Sequence, residues 1–170
     1  MPVTYKLIQT VTVTAAGGAA NIEFASIPQT YTDLMLVCST RTNRASTSDW
    51  VSVSINGLTT NQTERYIQGD GASVTSGTGS KVIVGQSTGS SNTSNVFGNS
   101  ACYISNYTGS IFKLFTTDAV NENNATTAFG YFRAGLWSST SAITSLLVTS
   151  DTASTFQQYS SASLYGIKNS

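Results

Sequence analysis

The stretch NIEFASIPQTYTDLMLVCSTR, residues 21–41, decides the fold because it holds two strand-like runs on either side of the only internal proline. Before that joint, Ile22 and Phe24 alternate with Asn21, Glu23 and Ala25, the period of two that a half-buried strand requires. After it, residues 34–38 are apolar at every position, which predicts a strand covered on both faces. Pro28 fixes its own φ and biases Ile27 towards an extended conformation. The segment is therefore expected to turn a sharp corner between a peripheral strand and a central one. It is architectural rather than chemical.

Composition bounds the rest. At 170 residues the chain fits one domain, residues 1–170, and is long enough to bury a continuous core. Charged residues make up only 9%, and the 8 Lys and Arg balance the 8 Asp and Glu. A neutral, charge-poor chain has no field to attract phosphate backbones or acidic lipid, so neither nucleic acid nor membrane is expected as a partner. The 26 Ser and 26 Thr point to an all-β protein with a hydroxyl-covered surface, since Thr favours strands and Ser favours turns. Regular spacing of Val, Ile, Phe and Tyr sets the chain apart from Ser-rich disorder. No basic leader and no bilayer-length apolar run is present, which predicts synthesis in a cytoplasm. Cys38 and Cys102 each lie in an apolar strand pattern; buried free thiols and a disulfide are both open, the first being the commoner fate. Sequons at Asn61, Asn92, Asn106 and Asn124 are as many as chance supplies in so hydroxyl-rich a chain.

Taken in order, residues 4–14 predict a first strand with Tyr5, Leu7, Val11 and Val13 on one face, and Gly17-Gly18 a turn into 21–27, giving an opening hairpin. A polar loop, 42–49, leads to Trp50 and the alternation of Val51, Val53 and Ile55, closed by the turn pair Asn56-Gly57. Residues 58–99 read as loop-rich, short strands bridged by long loops, with apolar islands at 66–67 and 82–84; the run 86–94, QSTGSSNTS, offers nothing to anchor in a core. Residues 102–107 and 111–116 predict a hairpin around Thr108, Gly109 and Ser110. After a polar loop over 118–127, strands follow at 129–137, 143–148 and 163–167, and 168–170 form a tail. In 129–137, Phe132, Ala134 and Leu136 share one face and Phe129, Tyr131 and Trp137 the other. About ten or eleven short strands without a helical period favour an antiparallel β-sandwich, jelly-roll-like in its long return connections.

The chemistry is largely a record of absences. The chain has no His, which removes His-based triads and metal sites, and no Cys-x-x-Cys; neither a metal nor a cofactor is expected. Asp70-Gly71 reads as a turn rather than a calcium loop, and Gly77, Gly79 and Gly85 near Lys81 read as loop glycines, since phosphate-binding fingerprints need a following helix. A glycosidase needs only two carboxylates across a cleft, with Glu23, Glu64 and Glu122 as candidates; solvated surface charge is the commoner reading for all three. Trp50, Tyr66, Tyr131 and Trp137 can form a sugar-stacking platform, although packing in the core or at a subunit interface is the commoner fate. Arg41, Arg44 and Arg133 are candidate inter-strand or inter-subunit partners.

The runs IEFASIPQTYTDLMLVCSTR, VSVSINGLTTNQTERY, FGNSACYISNYTGSIFKLF and AITSLLVTSDTASTFQQYSSASLYGIK, above all the closing SLYGI of 163–167, resemble a recurring pattern in small virion proteins of tailed bacteriophages. The resemblance spans nearly the whole chain, and its motifs are structural. It implies a jelly-roll unit, commonly a homotrimer, at the virion surface, and supplies no active-site residues. Without a coiled-coil or repetitive shaft, the chain is expected to be a non-enzymatic capsid decoration (cement) protein bound to the major capsid protein. The alternative is a head- or tail-fibre module that binds a host glycan, with Trp50, Tyr66 and Trp137 as glycan or partner contacts. A carbohydrate-binding module or glycosidase comes third.

Overall fold

Alternating hydroxyl and β-branched residues give strands: among the described residues of this computed structural model, 4–122 and 128–168, twelve strands and no helix form. They are β1 (Thr4–Thr12), β2 (Asn21–Phe24), β3 (Asp33–Thr40), β4 (Ser48–Ile55), β5 (Gln62–Gly69) and β6 (Val74–Gly79). The second half supplies β7 (Ile83–Thr88), β8 (Gly98–Ile104), β9 (Lys113–Asn121), β10 (Phe129–Trp137), β11 (Leu146–Ser150) and β12 (Ser161–Lys168). The sequon at Asn124 and the end of the loop expected to reach Thr127 lie outside the described residues.

The strands make two antiparallel sheets packed as a β-sandwich. One has eight strands in the order β1-β12-β3-β8-β9-β10-β5-β6, the other four in the order β2-β11-β4-β7. With β5, β6, β9 and β10 set aside, the remaining strands pair first with last, β1 with β12, and then inward as β2 with β11, β3 with β8 and β4 with β7. Consecutive strands of this set therefore alternate between sheets, except β4 and β7, which pair with each other at the tip, as in one long hairpin folded over itself. The four others extend the wide sheet beyond β8.

The core lies between the sheets. Leu34, Leu36 and Cys38 of β3, Cys102 and Ile104 of β8 and Leu164 of β12 meet Ile22 and Phe24 of β2, Val51, Val53 and Ile55 of β4, and Leu146 and Val148 of β11. The Pro28 corner joins the edge strand β2 to the interior strand β3 as expected, and its carbonyl accepts a hydrogen bond from the Tyr107 hydroxyl. Gln29 Nε2 clamps the same corner by donating to the Ile27 and Ile143 carbonyls at 2.8 and 2.9 Å. Asn56 and Gly57 take φ of 52° and 77°, the left-handed turn their pairing predicted. The hairpin of β8 and β9 and the bounds of β10 also match expectation.

Several expectations fail for identifiable reasons. Residues 4–14 and 21–27 do not form a hairpin: β1 pairs with β12 and β2 with β11, so the Gly17-Gly18 turn carries the chain from one sheet to the other. A bulge between Leu7 and Gln9 turns Tyr5 and Leu7 outward while Val11 packs against the core, so a strict period of two misassigned that face. Residues 34–38 are covered on one face only, since Val37 is exposed and Met35 half-buried on the other. Residues 58–99 hold β5 to β7, so the strands expected there are longer and the loops between them shorter, and Gly77, Gly79 and Gly85 lie in strands rather than loops. Gln86, Ser87 and Thr88, in the run expected to lack anchors, are buried. Here β7 crosses β8 so closely that a Cβ on Gly98 would meet the Gln86 carbonyl oxygen at 2.0 Å.

Far-ultraviolet circular dichroism is expected to show a β-type spectrum without helical minima. Cys38 and Cys102 are buried free thiols whose pKa burial raises to about 12. Both are therefore expected to resist alkylation in the native protein and to react after denaturation without reductant; recovery of a disulfide-linked peptide would contradict this pairing state.

Candidate functional site

Three of the four nominated aromatic residues converge on one cation. Trp50 on β4, Tyr66 on β5 and Tyr131 on β10 surround the Arg133 guanidinium, whose carbon lies 4.2, 4.6 and 5.5 Å from their ring centres. Trp50 meets Tyr131 edge-on at 4.8 Å. The fourth, Trp137, is not among them: on β10 it stands inward beside Lys113 and Gln62, and its ring is 1% exposed. Alternation grouped Trp137 correctly with Tyr131, but only the second sheet determines that this face is internal. Trp137 is a core residue and is not offered to a glycan or partner.

Glu64 corrects a second expectation. It is not solvated: its Oε1 lies 2.5 Å from Arg133 Nη1, both side chains are buried, and its Oε2 accepts the Ile83 N–H at 3.3 Å. Burial pushes the carboxyl above its ordinary range, and the Arg133 charge pulls it back. Glu23 and Glu122 are exposed elsewhere, as surface charges were expected to be. Arg44 sits 3.6 Å from Asp49, and Arg41 serves a separate cluster of loops. Asp70 and Gly71 make the expected turn, with Asp70 Oδ1 accepting the Ala72 and Ser73 N–H groups.

A cleft of about 270 Å³ opens above the Arg133 cluster, lined by Trp50, Glu64, Tyr66, Lys81, Arg133 and Asp151. It holds two carboxylates, but each has its own cation, since Lys81 Nζ lies 2.5 Å from Asp151 Oδ1. The arrangement joins β5 and β10 of the wide sheet to β4 of the narrow one.

The other feature of note is the outward face of the wide sheet. Register places Arg65, Ala134, Thr116, Tyr103, Met35, Tyr165 and Leu7 in one lateral row, and Ile67, Phe132, Asp118, Ala101 and Val37 in the next. Ile67, Phe132 and Leu114 are 51%, 46% and 60% exposed, and Leu7, Val37 and Val120 are exposed with them. Among the described residues of this face, the exposed charges are Arg65 and Asp118. Eight strands about 4.8 Å apart, each contributing about six residues, present roughly 750 Å². The alternation of Leu114, Thr116, Asp118 and Val120 with buried Phe115, Thr117 and Ala119 was legible in principle, but the sequence reading had ended that strand at Thr116.

No protein-family model matches the chain, and no match emerges among curated proteins or solved structures.

Removing either member of the buried ion pair leaves the other uncompensated, so Glu64→Gln and Arg133→Met are each expected to cost about 3–5 kcal/mol. The double variant is expected to cost less than the sum. Urea unfolding of all four proteins measures the cycle, and strict additivity would show that the pair is not coupled.

Proposed function

We propose that the chain is a non-enzymatic structural protein of a tailed-phage virion, a capsid decoration (cement) protein that forms a homotrimer and binds across capsomers of the major capsid protein. The observation that carries this reading is the outward face of the wide sheet. At roughly 750 Å² it approaches the roughly 800 Å² that each partner contributes to a standard interface. Ile67, Leu114 and Phe132 are exposed on it, where an isolated chain leaves them to water. Arg65 and Asp118 give each copy one charge of either sign to match on a neighbour. Subunits packed around a closed axis cover such a face with copies of the same chain.

The strand pairing supports a finer reading of the sandwich as a jelly roll, with β5–β6 and β9–β10 as two inserted strand pairs. On this reading the insertions widen one sheet to build the assembly face, since Ile67, Leu114 and Phe132 all belong to them. The virion setting rests on the resemblance of the four sequence runs. A protein that binds only the assembled shell stabilises it by mass action.

Light scattering at micromolar concentration is expected to find a trimer, and Phe132→Asp to convert it to a folded monomer. A monomeric wild-type protein would remove the physical support for this reading. In purified particles the copy number is expected to approach that of the major capsid protein. Stripping the protein should lower the rupture temperature, and adding it back should restore it. A scarce protein whose loss abolishes adsorption but spares shell stability would replace the decoration reading with the fibre module.

A further inference from the structure

Four connections meet at one end of the sandwich: 13–20 between β1 and β2, 41–47 between β3 and β4, 89–97 between β7 and β8, and 151–160 between β11 and β12. They are tied to one another. Arg41 donates from its guanidinium to the carbonyls of Thr93, Val96 and Asn92 at 2.8, 3.0 and 3.1 Å, and its own carbonyl accepts the Gln157 N–H at 2.7 Å. Ala19 and Phe156 exchange backbone hydrogen bonds of 2.9 and 2.8 Å, and Asn43 N–H reaches the Thr155 carbonyl at 3.0 Å. Between these loops lies a cavity of about 520 Å³, within the range of small-ligand pockets, about 300–1,000 Å³.

The cavity is lined by Arg41, Asn43, Asn95, Gln157, Gln158 and Tyr159, among others. Three of the amides are anchored by one atom and keep the other for a further partner. Gln157 Nε2 donates to the Thr42 carbonyl at 3.2 Å and Gln158 Nε2 to the Thr14 carbonyl at 2.8 Å, leaving two acceptor oxygens. Asn43 Oδ1 accepts the Thr155 N–H at 3.0 Å, leaving a donor NH₂. The Arg41 charge is already spent on loop carbonyls, so the lining offers neutral donors and acceptors in fixed positions.

Tyr159 adds an observation of a different kind. Its φ is +73°, a costly conformation for a bulky residue, and its ring is 72% exposed although its N–H is pinned to the Val13 carbonyl at 2.8 Å. Asn95 and Ala153 in the neighbouring loops share the left-handed conformation, at 63° and 57°. The fold thus holds an aromatic ring in water at the rim of a polar cavity against its backbone preference. We propose that this end of the sandwich binds a neutral glycan, with the Tyr159 ring stacked on the apolar face of a pyranose and the amides of Asn43, Gln157 and Gln158 sharing its hydroxyls.

The inference is independent of the assembly face and of the Trp50–Tyr66 cleft, and its test separates them. The intact protein is applied to an array of neutral hexose and N-acetylhexosamine oligosaccharides, with sialylated and sulfated glycans as anionic controls. Binding to neutral glycans is expected, weakened at least tenfold in Tyr159→Gly and in Gln157→Ala/Gln158→Ala and unchanged in Trp50→Phe. Tyr159→Gly relieves the left-handed strain, so its Tm is expected to be no lower than that of the wild type, which separates loss of the site from loss of the fold. No neutral binding, preference for the anionic glycans, or neutral binding that survives both sets of cavity substitutions would each overturn the proposal.

Discussion

A mismatch in width between the two sheets governs the interior. Four strands cannot cover eight, and the narrow sheet ends at β7, over β8 and β9, with an edge of unpaired backbone facing the inner side of the extension. A buried edge needs partners for its N–H and C=O groups. Side chains of the wide sheet provide them: Gln62 Oε1 accepts the Val82 N–H at 2.8 Å, Glu64 Oε2 accepts the Ile83 N–H, and the Thr117 hydroxyl donates to the Ile83 carbonyl at 3.3 Å. Placing a carboxylate there requires a buried cation, and Arg133 supplies it. Stacking Arg133 beneath Trp50 and Tyr66 in turn draws β4 against the extension. The cluster that sequence reading nominated for sugar binding is thus a consequence of closing an uneven sandwich.

The same mismatch explains what could be read from the sequence. Strands whose inner faces meet the apolar core, such as β3, β4 and β10, announce themselves by alternation or by an apolar run, and Asn56-Gly57 and Pro28 mark their ends. Strands β5 and β7 bury polar side chains, so Gln62, Glu64, Gln86 and Thr88 occupy positions where a core strand would place Val or Leu, and β6 buries no residue at all. Periodicity of hydrophobicity cannot detect a strand whose buried side is hydrophilic. Glu64 shows why the site was equally opaque: beside Arg65 it looks like a surface charge pair, while its partner Arg133 stands 69 positions away. The loop end was hidden for another reason, since its lining comes from four separate connections and the left-handed backbone of Tyr159 leaves no mark on local composition.

Six of the sixteen charged residues are buried. Arg41 and Lys113 are capped by backbone carbonyls, Arg133 by Glu64, and Asp49 by the hydroxyls of Thr42, Ser150 and Thr152. Lys113 alone collects the carbonyls of Gly109 and Ile111 at 2.6 and 2.7 Å, closing the loop between β8 and β9. With so few charged residues, assigning these to the interior leaves the outward face of the wide sheet almost neutral. The low charge of the chain and the apolar character of that face are therefore linked, and extending the sheet enlarges a surface that has little to hold water.

In a sandwich the sheet faces run along the strands, whereas the connections gather at the strand tips, so the two surfaces proposed for function do not overlap. A copy docked on Ile67, Leu114 and Phe132 approaches from the side, while the Arg41-tied cavity opens at an end. Arg41 immediately follows β3, whose Met35 and Val37 belong to the outward face and whose Leu36 and Cys38 belong to the core. One interior strand thus runs from the middle of the assembly face to the base of the loop cluster. The stretch that opens with Asn21 and ends at Arg41 sets the corner, the core strand and the cation from which the loop end is hung.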